Sequence, residues 1–166
     1  MFSKSKNKLY VFVIIISMGL ITSCGYTLRG SLNLPPSLNQ ISVYSNQYSI
    51  LVNSINETLI NAGVNVTNSN DKSLHRILIL SERFNRRQLS ISISGRVNEY
   101  ELIYEVQYEI NLPNQKNLSD TITLYRDYTF DENNMMGNSD REDDIKNEMI
   151  STASTLIFNK LRANAE

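Results

Sequence analysis

The stretch Tyr100-Glu101-Leu102-Ile103-Tyr104-Glu105-Val106-Gln107-Tyr108-Glu109-Ile110-Asn111-Leu112 decides the fold. Its even positions are all apolar or aromatic. Its odd positions are Glu, Gln or Asn apart from Ile103, the period of two of a β-strand with one buried and one polar face. Counted from Asn98, the run would extend about 50 Å at ~3.4 Å per residue, roughly twice a common strand. Pairing partners lie on either side. Leu89, Ile91 and Ile93 alternate with serine through residues 89–94, and Ile122, Leu124, Tyr128 and Phe130 alternate through the later run, with Arg126 the one charged side chain on that apolar face. Gly95 and Pro113-Asn114 supply turn chemistry between these runs, so the pattern predicts an antiparallel meander.

Upstream, Ile41 to Ser45 reads as a short strand. Leu51, Ile55, Leu59 and Ala62 recur on one face of a helix that Gly63 would cap, and Val64 to Thr67 reads as a further strand. Together they suggest a β-α-β crossover. Downstream, Ser139-Asp140-Arg141-Glu142 has capping-box spacing, and Ile145, Met149, Ala153, Leu156 and Leu161 form the stripe of a last helix. The expected fold is α+β: a two-layer sandwich in which two helices pack on a mixed four- to five-stranded sheet with long antiparallel strands. Residues 41–166 would form this single domain, and residues 24–40, with Pro35-Pro36, a linker leading into it.

Composition narrows the chemistry. In 166 residues there are 16 Lys plus Arg against 17 Asp plus Glu, a near-balance that gives no reason to expect nucleic acid as a partner. One Cys and one His cannot assemble a thiolate–imidazole metal site, and one Cys cannot form an internal disulfide. No Gly-x-Ser-x-Gly elbow is present, and the carboxylate pair Asp143-Asp144 fits a helix first turn without catalysis. Neither a catalytic residue, a metal nor a cofactor is expected, and the chain reads as a non-enzyme.

The N-terminus sets the destination. Lys4, Lys6 and Lys8 precede an apolar run from Leu9 to Ile21, too short for the roughly 20 residues of a spanning helix and suited to a signal peptide over residues 1–23. Ile21-Thr22-Ser23-Cys24 resembles a bacterial lipobox, which implies cleavage before Cys24 and acylation of its thiol and new amino group; the other reading is a plain signal peptide with a chance cysteine. One acyl chain binds a membrane only marginally, whereas a multiply acylated cysteine anchors it durably. Gly25 stands where an Asp would, by the same resemblance, favour inner-membrane retention. The expected address is therefore the outer membrane, anchored on the periplasmic side.

Charge is unevenly placed beyond the anchor. Residues 72–96 carry Lys72, Arg76, Arg83, Arg86, Arg87 and Arg96 against Glu82 alone, whereas residues 127–148 hold eight acids and two bases. Arginine forks suit phosphate, so Arg83, Arg86, Arg87 and Arg96 are candidate contacts for an anionic lipid or an acidic partner. The competing reading is a solvated strand end whose arginines neutralise glutamates on the next strand. Arg126 is a further candidate, either seeking a partner on its apolar face or snorkelling past it. Met135-Met136-Gly137 reads as a loop tip able to touch an acyl chain or a partner wall.

Cys24-Gly25-Tyr26-Thr27-Leu28-Arg29-Gly30, Gly95-Arg96-Val97-Asn98-Glu99-Tyr100, Tyr125-Arg126 and the terminal amphipathic helix occur in an order that resembles the LptE (RlpB) family of lipopolysaccharide-assembly lipoproteins. The resemblance covers essentially all of the mature chain. It implies a non-enzymatic outer-membrane lipoprotein that assists assembly of the LptD β-barrel, plugs it one-to-one and contacts lipopolysaccharide during delivery to the outer leaflet. The residues alone leave open a periplasm-facing lipid-binding carrier, or a pilotin for another outer-membrane complex.

Overall fold

The computed structural model describes residues 34–35, 38–68, 74–113 and 115–165. The expectations for the signal peptide, for Cys24 and for most of the linker fall outside these residues. Five strands form one sheet, β1 (Gln40–Ser45), β2 (Asn65–Thr67), β3 (His75–Ile91), β4 (Val97–Asn111) and β5 (Leu118–Thr129), in the order β2-β1-β3-β4-β5. Helix α1 (Ile50–Asn61) connects β1 to β2, and α2 (Met135–Asn164) closes the chain. β1 runs parallel to both β2 and β3, while β3, β4 and β5 are an antiparallel meander. This is the expected mixed two-layer arrangement.

The even side of β4 faces the helices, with Leu102, Tyr104, Val106, Tyr108 and Ile110 all buried. Leu51, Ile55 and Leu59 of α1 and Ile145, Met149, Ala153, Ile157 and Leu161 of α2 meet it. Burying each such aliphatic side chain contributes about 1.5–3 kcal/mol, so this layer is the dominant stabilising term. Leu156, expected in the stripe, is 42% exposed, and Ile157 is fully buried instead. A strict four-residue step from Ile145 reaches 157, one position on from the leucine.

Two boundaries depart from expectation. β3 was legible only over residues 89–94 but begins at His75. Its register with β4 shifts between Ile79 and Ser81, so Leu80 is extra and the face toward the helices changes from odd residues (Ile77, Ile79) to even ones (Glu82, Phe84). A bulge of this kind erases a period-two signal across the strand. At the other boundary, α2 starts four residues before Ser139. Asn134 caps it by accepting a hydrogen bond from the Gly137 amide at 3.1 Å, which turns Met135-Met136-Gly137 from the expected loop tip into the first helical turn. Asn138 reinforces this start, donating to the Asp131 carbonyl at 2.6 Å and accepting from the Asp131 amide at 3.0 Å.

The β3–β4 turn follows the sequence closely. The Gly95 amide donates to the Ser92 carbonyl at 2.9 Å, and Gly95 holds a φ of 78°, a left-handed value that disfavours any residue with a Cβ.

Candidate functional site

Strand alternation divides the arginines before any contact is considered. Arg83 and Arg87 point to the helix-free face of β3, and Arg86 points to the helix side. On the helix-free face Arg83 Nη2 lies 2.8 Å from Glu105 Oε1, and Arg87 Nε lies 2.6 Å from Glu101 Oε2, both acids on β4 directly opposite in register. The two arginine side chains are 59% and 61% exposed. The Arg83–Glu105 pair, the more open to water, contributes about 0–1 kcal/mol, so a phosphate could take over that guanidinium at small cost, whereas Glu101, 14% exposed, depends more on Arg87.

Arg86 is held differently. Its Nη1 donates to Glu142 Oε2 at 2.9 Å and lies 3.5 Å from the Tyr128 hydroxyl, and its guanidinium stands 4.4 Å from the centre of the Tyr100 ring. Tyr128 donates to the same Glu142 oxygen at 2.7 Å, and Lys146 Nζ approaches the other oxygen at 2.9 Å. Burial alone would raise the Glu142 pKa. The hydrogen bonds from Lys146, Tyr128 and Arg86 outweigh it and hold the carboxyl at about 2. Tyr128 is pushed up, first by burial and then by its bond to Glu142. The cluster ties the N-terminal part of α2 to β3, β4 and β5, so Arg86 fastens the two layers together.

Arg96 pairs with Glu132 in the loop before α2, and Arg126 Nε lies 3.2 Å from Glu148 Oε1 on α2 while its Nη1 donates to the Tyr125 carbonyl at 2.9 Å. Arg126 therefore reaches out of the apolar face of β5 to the helix that covers it. Each of the five predicted arginines thus has an acidic neighbour, but they do not converge on one point. Arg83 and Arg87 share a face, Arg96 pairs with the loop before α2 at the hairpin end, and Arg86 and Arg126 serve the sheet–helix contact.

Beside this basic strand the hairpin end is apolar. Leu89, Ile91 and Ile93 are exposed, as are Met135 and Met136. The contacts Arg96–Glu132 and Phe130 amide to Asn98 carbonyl, 2.9 Å, bring the start of α2 to the same end of the sheet. Alternation with serine put Leu89, Ile91 and Ile93 on one face of the predicted strand. The register shifts at Gln88/Ser90 and Ser90/Ile91 are invisible in sequence and leave these side chains without helix cover. The Glu142 cluster was also missed, because its members come from four elements.

Among the described residues no group of three or more His, Cys, Asp or Glu could hold a metal ion, and no helix is long and apolar enough to cross a membrane.

Comparison with known proteins places this geometry. The profile of a family described as LptE, lipopolysaccharide-assembly, matches residues 38–161. An LPS-assembly lipoprotein LptE of Pectobacterium atrosepticum is 22% identical over 160 residues, covering 94% of this chain and 86% of that protein. The LptE of Yersinia enterocolitica is 21% identical over 158 residues, covering 94% and 76%. The crystal structure of rare lipoprotein B from Shewanella oneidensis superposes with a TM-score of 0.68 at 26% identity, covering 75% of this chain and 95% of that one. The solution structure of a lipoprotein B from Nitrosomonas europaea gives 0.69 at 24% identity, covering 84% and 91%.

Proposed function

The chain belongs to the LptE family of lipopolysaccharide-assembly proteins, and from that premise we propose that it is an outer-membrane lipoprotein without enzymatic activity, anchored through Cys24, that assists assembly of the LptD β-barrel and plugs it one-to-one. On this reading it also contacts lipopolysaccharide on its way to the outer leaflet, through the basic strand β3 and the apolar end beside it.

The observation that carries the lipid contact is the juxtaposition of exposed Arg83 and Arg87 with exposed Leu89 and Ile91 along one strand. An amphiphile with phosphates next to acyl chains presents the complementary pattern. For the plug, the support is the helix-free face of β4, where Glu99, Glu101, Glu105, Gln107 and Glu109 recur. Large outer-membrane barrels line their interior with polar groups, and such a face can rest against them.

The test follows from the geometry. Arg83→Gln with Arg87→Gln removes two cations without placing carboxylates opposite Glu101 and Glu105, as a change to Glu would. Lipopolysaccharide binding by the double variant is expected to weaken roughly tenfold, about 1.4 kcal/mol. The unfolding midpoint should fall only slightly, since both arginines are mostly exposed although Glu101, 14% exposed, loses its cationic neighbour. Unchanged affinity would remove these arginines from the contact.

A further inference from the structure

Beside α1, at the carboxyl ends of the parallel strands β1 and β2, lies a cavity of about 390 Å³. Ligand pockets run about 300–1,000 Å³, and the carboxyl ends of parallel strands joined by a helical crossover are where α/β units commonly bind ligands. Helix α1 supplies one wall. While Leu51, Ile55 and Leu59 face the core, Val52, Asn53, Asn56 and Ile60 recur at helical spacing along an adjacent stripe that lines the cavity. Tyr44 and Tyr48 lie on one side and Val66, Thr67 and Asn68 on another.

The lining is unusual for a chain rich in charge, because none of the described residues that form it is Lys, Arg, His, Asp or Glu. Its polar groups are the amides of Gln47, Asn53, Asn56 and Asn68 and a set of hydroxyls, set among apolar side chains. Among the described lining residues an anion would find no cation, and a cation no carboxylate. A purely apolar ligand would strip water from four amides and return nothing. The rim adds an aromatic surface. Tyr48 is 85% exposed at the rim, an aromatic ring without packing.

We infer that this cavity binds a neutral saccharide unit. Planar amides offer paired donors and acceptors that match neighbouring sugar hydroxyls, and the C–H face of a pyranose packs on an aromatic ring such as Tyr48. The inference uses none of the arginines on β3 and goes beyond the proposed lipopolysaccharide contact. A free sugar and the neutral sugars of an oligosaccharide share the required chemistry.

Saturation-transfer NMR on the full chain, in a detergent without a sugar headgroup, tests it. Probes are glucose, galactose, N-acetylglucosamine, deacylated lipopolysaccharide oligosaccharide, and glucuronate as the charged comparison. Transfer to at least one neutral probe is expected, strongest at ring C–H protons, and should fall at least fivefold in Tyr48→Ala and in Asn53→Ala. Both residues are exposed, so their variants should unfold at the parental temperature. Arg83→Gln with Arg87→Gln should leave the signal intact even if lipopolysaccharide binding is lost, which separates this inference from the function proposed above. Transfer to the oligosaccharide alone would identify a glycan source, and transfer to monosaccharides a free sugar; either supports the site. Absence of transfer to every neutral probe, equal transfer to glucuronate, or a signal indifferent to both cavity variants would overturn it.

Discussion

Replacing Glu142 with Gln should cost stability in a way that depends on pH. In the folded protein the carboxyl is held at about 2 against an ordinary 4.5, with burial opposing the shift and the hydrogen bonds from Lys146, Tyr128 and Arg86 producing it. A difference of that size corresponds to about 3 kcal/mol if it were wholly retained. The Arg86 and Lys146 side chains are 48% and 32% exposed, so water screens much of the attraction and about 1–2 kcal/mol is the expected loss. The sign is fixed by the direction of the shift. A carboxyl depressed on folding contributes fully above about pH 4.5, and its contribution fades as pH falls toward 2. Urea unfolding of parent and variant at pH 7, 4.5 and 2 measures the difference, in which the titration of every other carboxyl cancels to first order. A loss of about 1–2 kcal/mol at pH 7 that shrinks below half that value by pH 2 is expected. A loss equal at both ends of the range, or none at pH 7, would refute the assignment of Glu142 as the ionised centre of the cluster.

Three further outcomes are expected from thermal or urea unfolding. Ile157→Ala should cost about 2–5 kcal/mol, because its side chain is fully buried, while Leu156→Ala should stay within about 0.5 kcal/mol; comparable losses would contradict the helix phase. Ser49→Ala should cost about 1–2 kcal/mol, because the Ser49 hydroxyl accepts from the Val52 amide at 3.1 Å, capping α1, and donates to Glu82 Oε2 at 2.5 Å. Gly95→Ala should cost about 1–2 kcal/mol from its left-handed φ alone, since nothing lies within 4 Å of an added Cβ, and an unchanged midpoint would mean the turn relaxes freely.

What the sequence revealed follows from how each feature is encoded. The alternation of Tyr100 to Leu112 is local and uninterrupted, so β4 and its buried face were legible to within a residue or two. The crossover β1-α1-β2 was legible because Gly63, with a φ of 79°, ends the helix where the apolar spacing stops. β3 was mostly hidden, since the extra Leu80 swaps its faces and its outward positions carry charges. The start of α2 was misjudged because Asn134 and Ser139 are both competent caps, and the pairing of Asp131 with Asn138 selects the first. Of the candidate site, residue types were readable and pairings were not. Arg86 looked equivalent to Arg83 and Arg87 until strand parity put it under Tyr100 and against Glu142. The cavity lining along α1 recurs at helical spacing but mixes apolar residues with amides, so it stands out as neither core nor charged surface.

The proposed role stands or falls most directly on what this protein is bound to in its membrane. Affinity purification of the native chain from outer membranes dissolved in mild detergent, followed by native mass spectrometry, should return an acylated polypeptide beginning at residue 24 in equimolar complex with one large β-barrel. Recovery of the protein alone, with lipid in place of the barrel, would contradict the plug and favour a carrier.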